Sequence, residues 1–139
     1  MPETSFAFEL VSPERLLLSE PARLVVIPGE DGDFGVLPGH SPFVSTLRPG
    51  TIAIFKDGKV ERRIFVAGGF AEVTPERCTV LAEEAQPLED IDRGALEERI
   101  KTLADDARDA AEPEARAAAA ARLRIAEAMV AALDRPAYR

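Results

Sequence analysis

Glu30, Asp31 and Asp33 crowd three carboxylates into four positions of a glycine- and proline-rich run, PGEDGDFGVLPGHSPFVSTLRPG, from Pro28 to Gly50. Carboxylates at such density can hold a hard cation, repel phosphate or face a basic partner. The EF-hand spacing of calcium ligands is absent, and no closing Glu follows at the right place. Gly29, Gly32, Gly35 and Gly39 do not fit the GxxxxGK[ST] phosphate loop, and the run has no lysine. Asp33-Phe34-Gly35 matches the kinase metal-binding triplet, but neither HRD nor VAIK accompanies it, and 139 residues are too few for a kinase.

The remaining reactive side chains are sparse. His40 is the only imidazole and Cys78 the only thiol, which cannot build a zinc site from nitrogen and sulfur ligands. His40 stands in LPGHSP, with no nucleophile elbow nearby, so a loop role is expected rather than catalysis. Cys78 in RCTVL reads as a small core residue of a strand. Glu97-Glu98 and Asp105-Asp106 are neighbours on a predicted helix, and adjacent helical side chains diverge by about 100°, so they do not converge on one substrate. No catalytic, metal or cofactor site is expected. A binding or coupling module remains, with two rivals: a free-standing nucleotide-responsive regulator and a small enzyme.

Two kinds of element must position these residues. From residue 5 to 86 the chain reads as short strands: SFAFELV, ARLVVIP, GTIAIFK, KVERRIFVA and ERCTVLA, separated by PG, RPG, KDG and TPE. Such spacing predicts an antiparallel sandwich or barrel. Asp57-Gly58 predicts a hairpin turn, and Gly68-Gly69 a bulge or corner. After Pro87 the period becomes helical, with Ile91, Leu96, Ile100, Leu103 and Ala107 on one face and Asp90 as the expected N-cap. The pattern breaks around Asp109 to Pro113, and a second helix runs to about Leu133, giving an αα-hairpin. The expected fold class is therefore α+β, with domains 1–86 and 87–139.

Charge narrows the partners. The chain carries a formal charge of -8, which argues against nucleic acid and against adhesion to anionic lipid. The charge is uneven: residues 83–111 hold 10 acidic and 4 basic side chains, whereas 112–139 hold 4 acidic and 5 basic. A single cysteine fits a reducing compartment. MPETSFAFEL has no basic segment before a long apolar run, so no signal peptide is expected, and no run of apolar residues is long enough to span a bilayer. Direct membrane insertion is not expected.

The order GxFGVLPGHxPxVxxLxPG from Gly32 to Gly50, followed by VAGGFAEV at 66–73 and EDID at 89–92, resembles the epsilon subunits of bacterial F-type ATP synthases. The resemblance covers the whole chain. It implies a β-sandwich of about ten strands followed by a helical hairpin. It also implies a non-catalytic central-stalk part that binds the gamma subunit and the c-ring, peripheral on the cytoplasmic face of a bacterial inner membrane. Asp31 and Asp33, beside Glu30, match positions that face the c-ring; Ser12, His40 and Ser45 match positions near gamma. In that family the hairpin either lies folded on the sandwich or extends into the catalytic head and blocks hydrolysis. The second helix here has ten Ala and only five large apolar residues, so weak docking is expected. Arg116, Arg122 and Arg124 are then candidates for inhibitory contacts with the head, and a permanently folded hairpin is the alternative. Some members bind ATP through [IL]DxxRA. Ile91 and Asp92 fit that motif, but Ala95 stands where it has Arg, so ATP binding is not expected.

Overall fold

The computed structural model describes residues 4–138. Ten strands come first: β1 (Phe6–Val11), β2 (Leu16–Ala22), β3 (Leu24–Gly29), β4 (Gly32–Val36), β5 (Phe43–Leu47), β6 (Gly50–Lys56), β7 (Lys59–Val66), β8 (Gly69–Val73), β9 (Arg77–Ala82) and β10 (Ala85–Pro87). A 3₁₀ turn over Leu88–Asp90 leads into α1 (Arg93–Asp109) and α2 (Pro113–Asp134). No described helix is long and apolar enough to cross a membrane.

The strands form one ladder in the order β10-β7-β6-β3-β5-β8-β9-β1-β2, with β4 on the other edge of β3. The ladder folds over on itself where Gly29 of β3 pairs with Leu47 of β5, giving the two layers of a sandwich. Period-2 alternation decides which side chains meet inside. In β1, Phe6, Phe8 and Leu10 are buried while Ala7, Glu9 and Val11 are half-exposed. They join Val25, Ile27, Val36, Ile52, Ile64, Val66, Val73 and Val80 in one aliphatic core drawn from both layers. The pairing is antiparallel throughout except for β1 and β9, which run parallel. Most of the sandwich sequence separates those two strands, so no tight turn forces them to oppose. Asp57-Gly58 forms the expected hairpin turn between β6 and β7, with φ of 52° and 78°.

Gly68-Gly69 is the expected corner. Gly69 pairs with Leu47 on one side and Ala82 on the other. Its φ is +130°, and a Cβ there would lie 2.0 Å from the Leu81 carbonyl oxygen. No side chain fits.

The helical hairpin packs on the outer face of the β6–β7 layer. Phe65 and Ala67, which alternate with the core residues Ile64 and Val66, meet Leu88, Leu96, Ala126 and Met129 in a second cluster. The N-cap of α1 is Asp92, whose carboxylate accepts from the Ala95 amide at 3.1 Å. Asp90, the expected cap, lies too early, because residues 88–90 close a 3₁₀ turn and Ile91 is extended.

The corner generates a stability prediction. Gly69→Ala should cost about 3 kcal/mol, since strain and a backbone clash add, whereas Gly39→Ala should cost about 1 kcal/mol, since that site needs positive φ but has open space. Urea denaturation of the two variants measures both.

Candidate functional site

The acidic tip is built by the β3–β4 hairpin. Gly29 faces Gly32 across the turn, and a Cβ on Gly29 would meet the Gly32 carbonyl oxygen at 2.6 Å. The close approach leaves Glu30 and Asp31 as a two-residue connection, both exposed and without an ion pair among the described residues. Asp33 behaves differently. One of its carboxylate oxygens accepts from an Arg48 Nη at 2.5 Å, and the other accepts from the Tyr138 hydroxyl at 2.5 Å. Arg48 is itself fixed by donating to the Gly29 carbonyl at 2.6 Å. The Tyr138 hydroxyl is pushed up to about 12 by the hydrogen bond to Asp33, then by burial and by the Asp33 charge. The three acids therefore share a tip, but only Glu30 and Asp31 are free to meet another charge.

Ser12, His40 and Ser45 are not gathered into a cluster of interacting polar groups. The Ser12 hydroxyl donates to the Arg15 carbonyl at 3.2 Å, and the Arg15 amide returns a bond at 3.3 Å, closing the β1–β2 turn. A ring nitrogen of His40, Nδ1, lies 2.7 Å from the Ser41 carbonyl oxygen, and the ring sits 6.4 Å from that of Phe43. Ser45 donates to the Thr46 carbonyl at 2.9 Å. All three serve local turns or strand ends, in keeping with a loop role for His40.

A feature that sequence reasoning missed joins their surroundings. Strand pairing aligns Leu16, Val11, Leu81, Phe70 and Thr46 in a row across β2, β1, β9, β8 and β5. This row lies on the outer face of its layer, because the alternating Leu10, Val80 and Ala71 are in the core. Leu16 is 55% exposed and Phe70 46%, and Val44, one row along, is 65% exposed. Ser12 follows Val11 at one end of the row, and Ser45 precedes Thr46 at the other. Contiguous exposed apolar residues of this kind are where a soluble domain commonly meets a partner. The available signal was the apolar residue on both faces of β8 and β9, as in FAEV and CTVLA.

The hairpin residues divide by partner. Arg116 donates to the carbonyls of Ala110 at 2.7 Å and Ala111 at 3.3 Å, closing the link between the helices. Arg122 and Arg124 are exposed, with no ion pair among the described residues. Arg93 bonds Asp134 at 2.5 Å and lies 3.8 Å from Glu97, tying the start of α1 to the end of α2. Ile91 packs in the hairpin cluster, and Asp92 is occupied as N-cap. Cys78 is fully buried, and burial pushes its thiol up to about 12, leaving it inert. Among the described residues, no three His, Cys, Asp or Glu side chains converge on a point.

Residues 5–88 match the family model described as the beta-sandwich domain of the ATP synthase delta/epsilon chain. The chain is 54% identical over 132 residues to the ATP synthase epsilon chain of Rhodospirillum rubrum, covering 95% of this chain and 98% of that one. It is 59% identical over 108 residues to the ATP synthase epsilon chain of Rhodospirillum centenum, covering 74% of each. A chain of the Euglena gracilis mitochondrial ATP synthase, in a structure of its OSCP, F1 and c-ring, superposes with a TM-score of 0.81 at 27% identity, over 96% of this chain and 84% of that one.

Asp92 caps its helix, Arg93 is held by Asp134, and Ala95 stands where the ATP motif has a guanidinium, so the motif offers no free cation to a triphosphate among the described residues. Isothermal titration of the full chain with Mg-ATP should give no binding at micromolar strength. A measured Kd below about 100 μM, or a free energy beyond about 5.5 kcal/mol, would contradict that assignment.

Proposed function

This chain belongs to the delta/epsilon-chain family of ATP synthases, and on that premise we propose that it is a non-catalytic rotor subunit joining a gamma subunit to a membrane c-ring. The single observation that carries this reading is the apolar row from Leu16 to Phe70, left open on the sandwich face opposite the helical hairpin. A binding partner that buries Leu16, Val44, Phe70 and Leu81 removes the exposed remainder of each from water, roughly half of the 1.5–3 kcal/mol that full burial of such a side chain contributes. Gamma is the partner the family supplies; Ser12 follows Val11 of that row, whereas Ser45, paired with the core residue Ala71, alternates to the other side of β5.

The tip supplies orientation rather than affinity. Glu30 and Asp31 project from one end of the sandwich, and each exposed ion pair with a basic loop of the c-ring contributes only about 0–1 kcal/mol. Opposite charge mainly sets register and speeds docking. Asp33 supports the tip through Arg48 instead of meeting the ring directly. The protein is peripheral in this reading, held at the cytoplasmic face of the membrane by its partners.

The hairpin has a regulatory role if it leaves the sandwich. It is docked here, with only Ala119, Ala126 and Met129 fully buried on α2. Two of these three are alanine, and small residues at a contact bury little area, which lowers the cost of release. On extension, Arg122 and Arg124, which make no ion pair among the described residues, are cations that could meet acidic parts of the catalytic head.

Two variants separate the faces in one co-purification experiment with gamma and the c-ring. Phe70→Glu should weaken gamma binding at least about tenfold, because a charge must be desolvated in an apolar contact. Glu30→Lys with Asp31→Lys should leave gamma binding intact and reduce retention of the c-ring. Normal gamma binding by Phe70→Glu would sink the proposal for that face.

A further inference from the structure

We infer that Ala137 and Tyr138, gripped by Arg63 and Asp33, form a clasp that holds the end of α2 on the sandwich and so controls release of the helical hairpin. The inference stands apart from what the tip or the open sheet face binds.

The geometry is specific. Arg63 lies on β7, and its Nε donates to the Ala137 carbonyl at 2.8 Å while an Nη donates to the Tyr138 carbonyl at 2.5 Å. One planar guanidinium thus takes two successive backbone carbonyls, a fork that Lys cannot reproduce. The Tyr138 ring packs 5.9 Å from that of Phe55 on β6, tilted by 57°. Its hydroxyl reaches on to Asp33 of β4, which Arg48 holds in place. Residues that follow a helix are therefore bound to three strands of one layer. Asp33 and Tyr138 are 105 positions apart in sequence, so the contact exists only while α2 is docked.

A clasp is useful at this point because packing is weak there. A groove of about 690 Å³ lies beneath the end of α2, lined by Leu10, Leu18, Ile64, Leu88, Leu133 and Pro136 among others. Leu133 lines this groove and is only half-buried, and two of the three fully buried residues on α2 are alanine. Polar bonds from Arg63 and Asp33 supplement that packing.

Thiol labelling of the full chain tests the clasp. Ala126→Cys places a thiol in the fully buried cluster between α2 and Phe65, where alkylation requires undocking, and Met129→Cys gives a second reporter in the same cluster. Native Cys78, buried in the sandwich core, reports global unfolding in the same molecule. In either reporter background, Arg63→Gln should speed alkylation of the introduced thiol about fivefold to tenfold, and Tyr138→Phe about twofold to fivefold, with Cys78 unchanged. Tyr138→Phe keeps the ring on Phe55 and removes only the hydroxyl. An unchanged rate at the introduced thiol in both variants would overturn the clasp. So would equal acceleration of Cys78, which would mean that the substitutions loosen the whole fold.

Discussion

The architecture depends on one close backbone approach. At Gly69 the chain passes so near the Leu81 carbonyl that a Cβ has no room, and the same residue pairs with both Leu47 and Ala82. Together with the Gly29–Leu47 pairing, this lets a single ten-stranded ladder close over one aliphatic core. A side chain at Gly69 would push β8 from β9 and open the layer that carries Phe70. The separation of the sheet's two outer faces rests on that layer keeping its place.

That separation distributes the work of the molecule. One outer face, around Phe65 and Ala67, is covered by the helical hairpin, and the other, from Leu16 to Phe70, stays open. The covered face is held by modest forces. Of the three buried residues on α2, two are alanine, which contribute little area. A helix rich in alanine also keeps its own structure with less help from packing. A hairpin that is stable as a helix and weakly held as a ligand of the sheet is suited to move. The sandwich core shares no residue with the hairpin cluster, so movement of one need not disturb the other.

Much of this was legible in the sequence because it rests on local rules. Alternation in FAFELV, the Asp57-Gly58 turn, the glycine pair at 68–69 and the helical period after Pro87 all report short-range constraints. Their placement agrees with the strands and helices found. Most of the misses are non-local. Parallel pairing of β1 with β9 depends on residues far apart, which no window reads. Asp90 and Asp92 are both good caps by type, and only the 3₁₀ turn at 88–90 decides for Asp92. Asp33 looked like a third free acid, but Arg48 and Tyr138 reach it from distant positions. The open apolar row was invisible for the same reason, since it exists only after five strands are set in register.

The central claim is that partner binding and hairpin docking use opposite faces of one sandwich. The most direct measurement is the affinity of gamma for the full chain and for a version ending at Pro87, where β10 closes the ladder. The account predicts Kd values within about twofold of each other, well short of the 1.4 kcal/mol that a tenfold change represents. A loss of tenfold or more on removing the helices would contradict it, because gamma would then need the hairpin or the face that the hairpin covers.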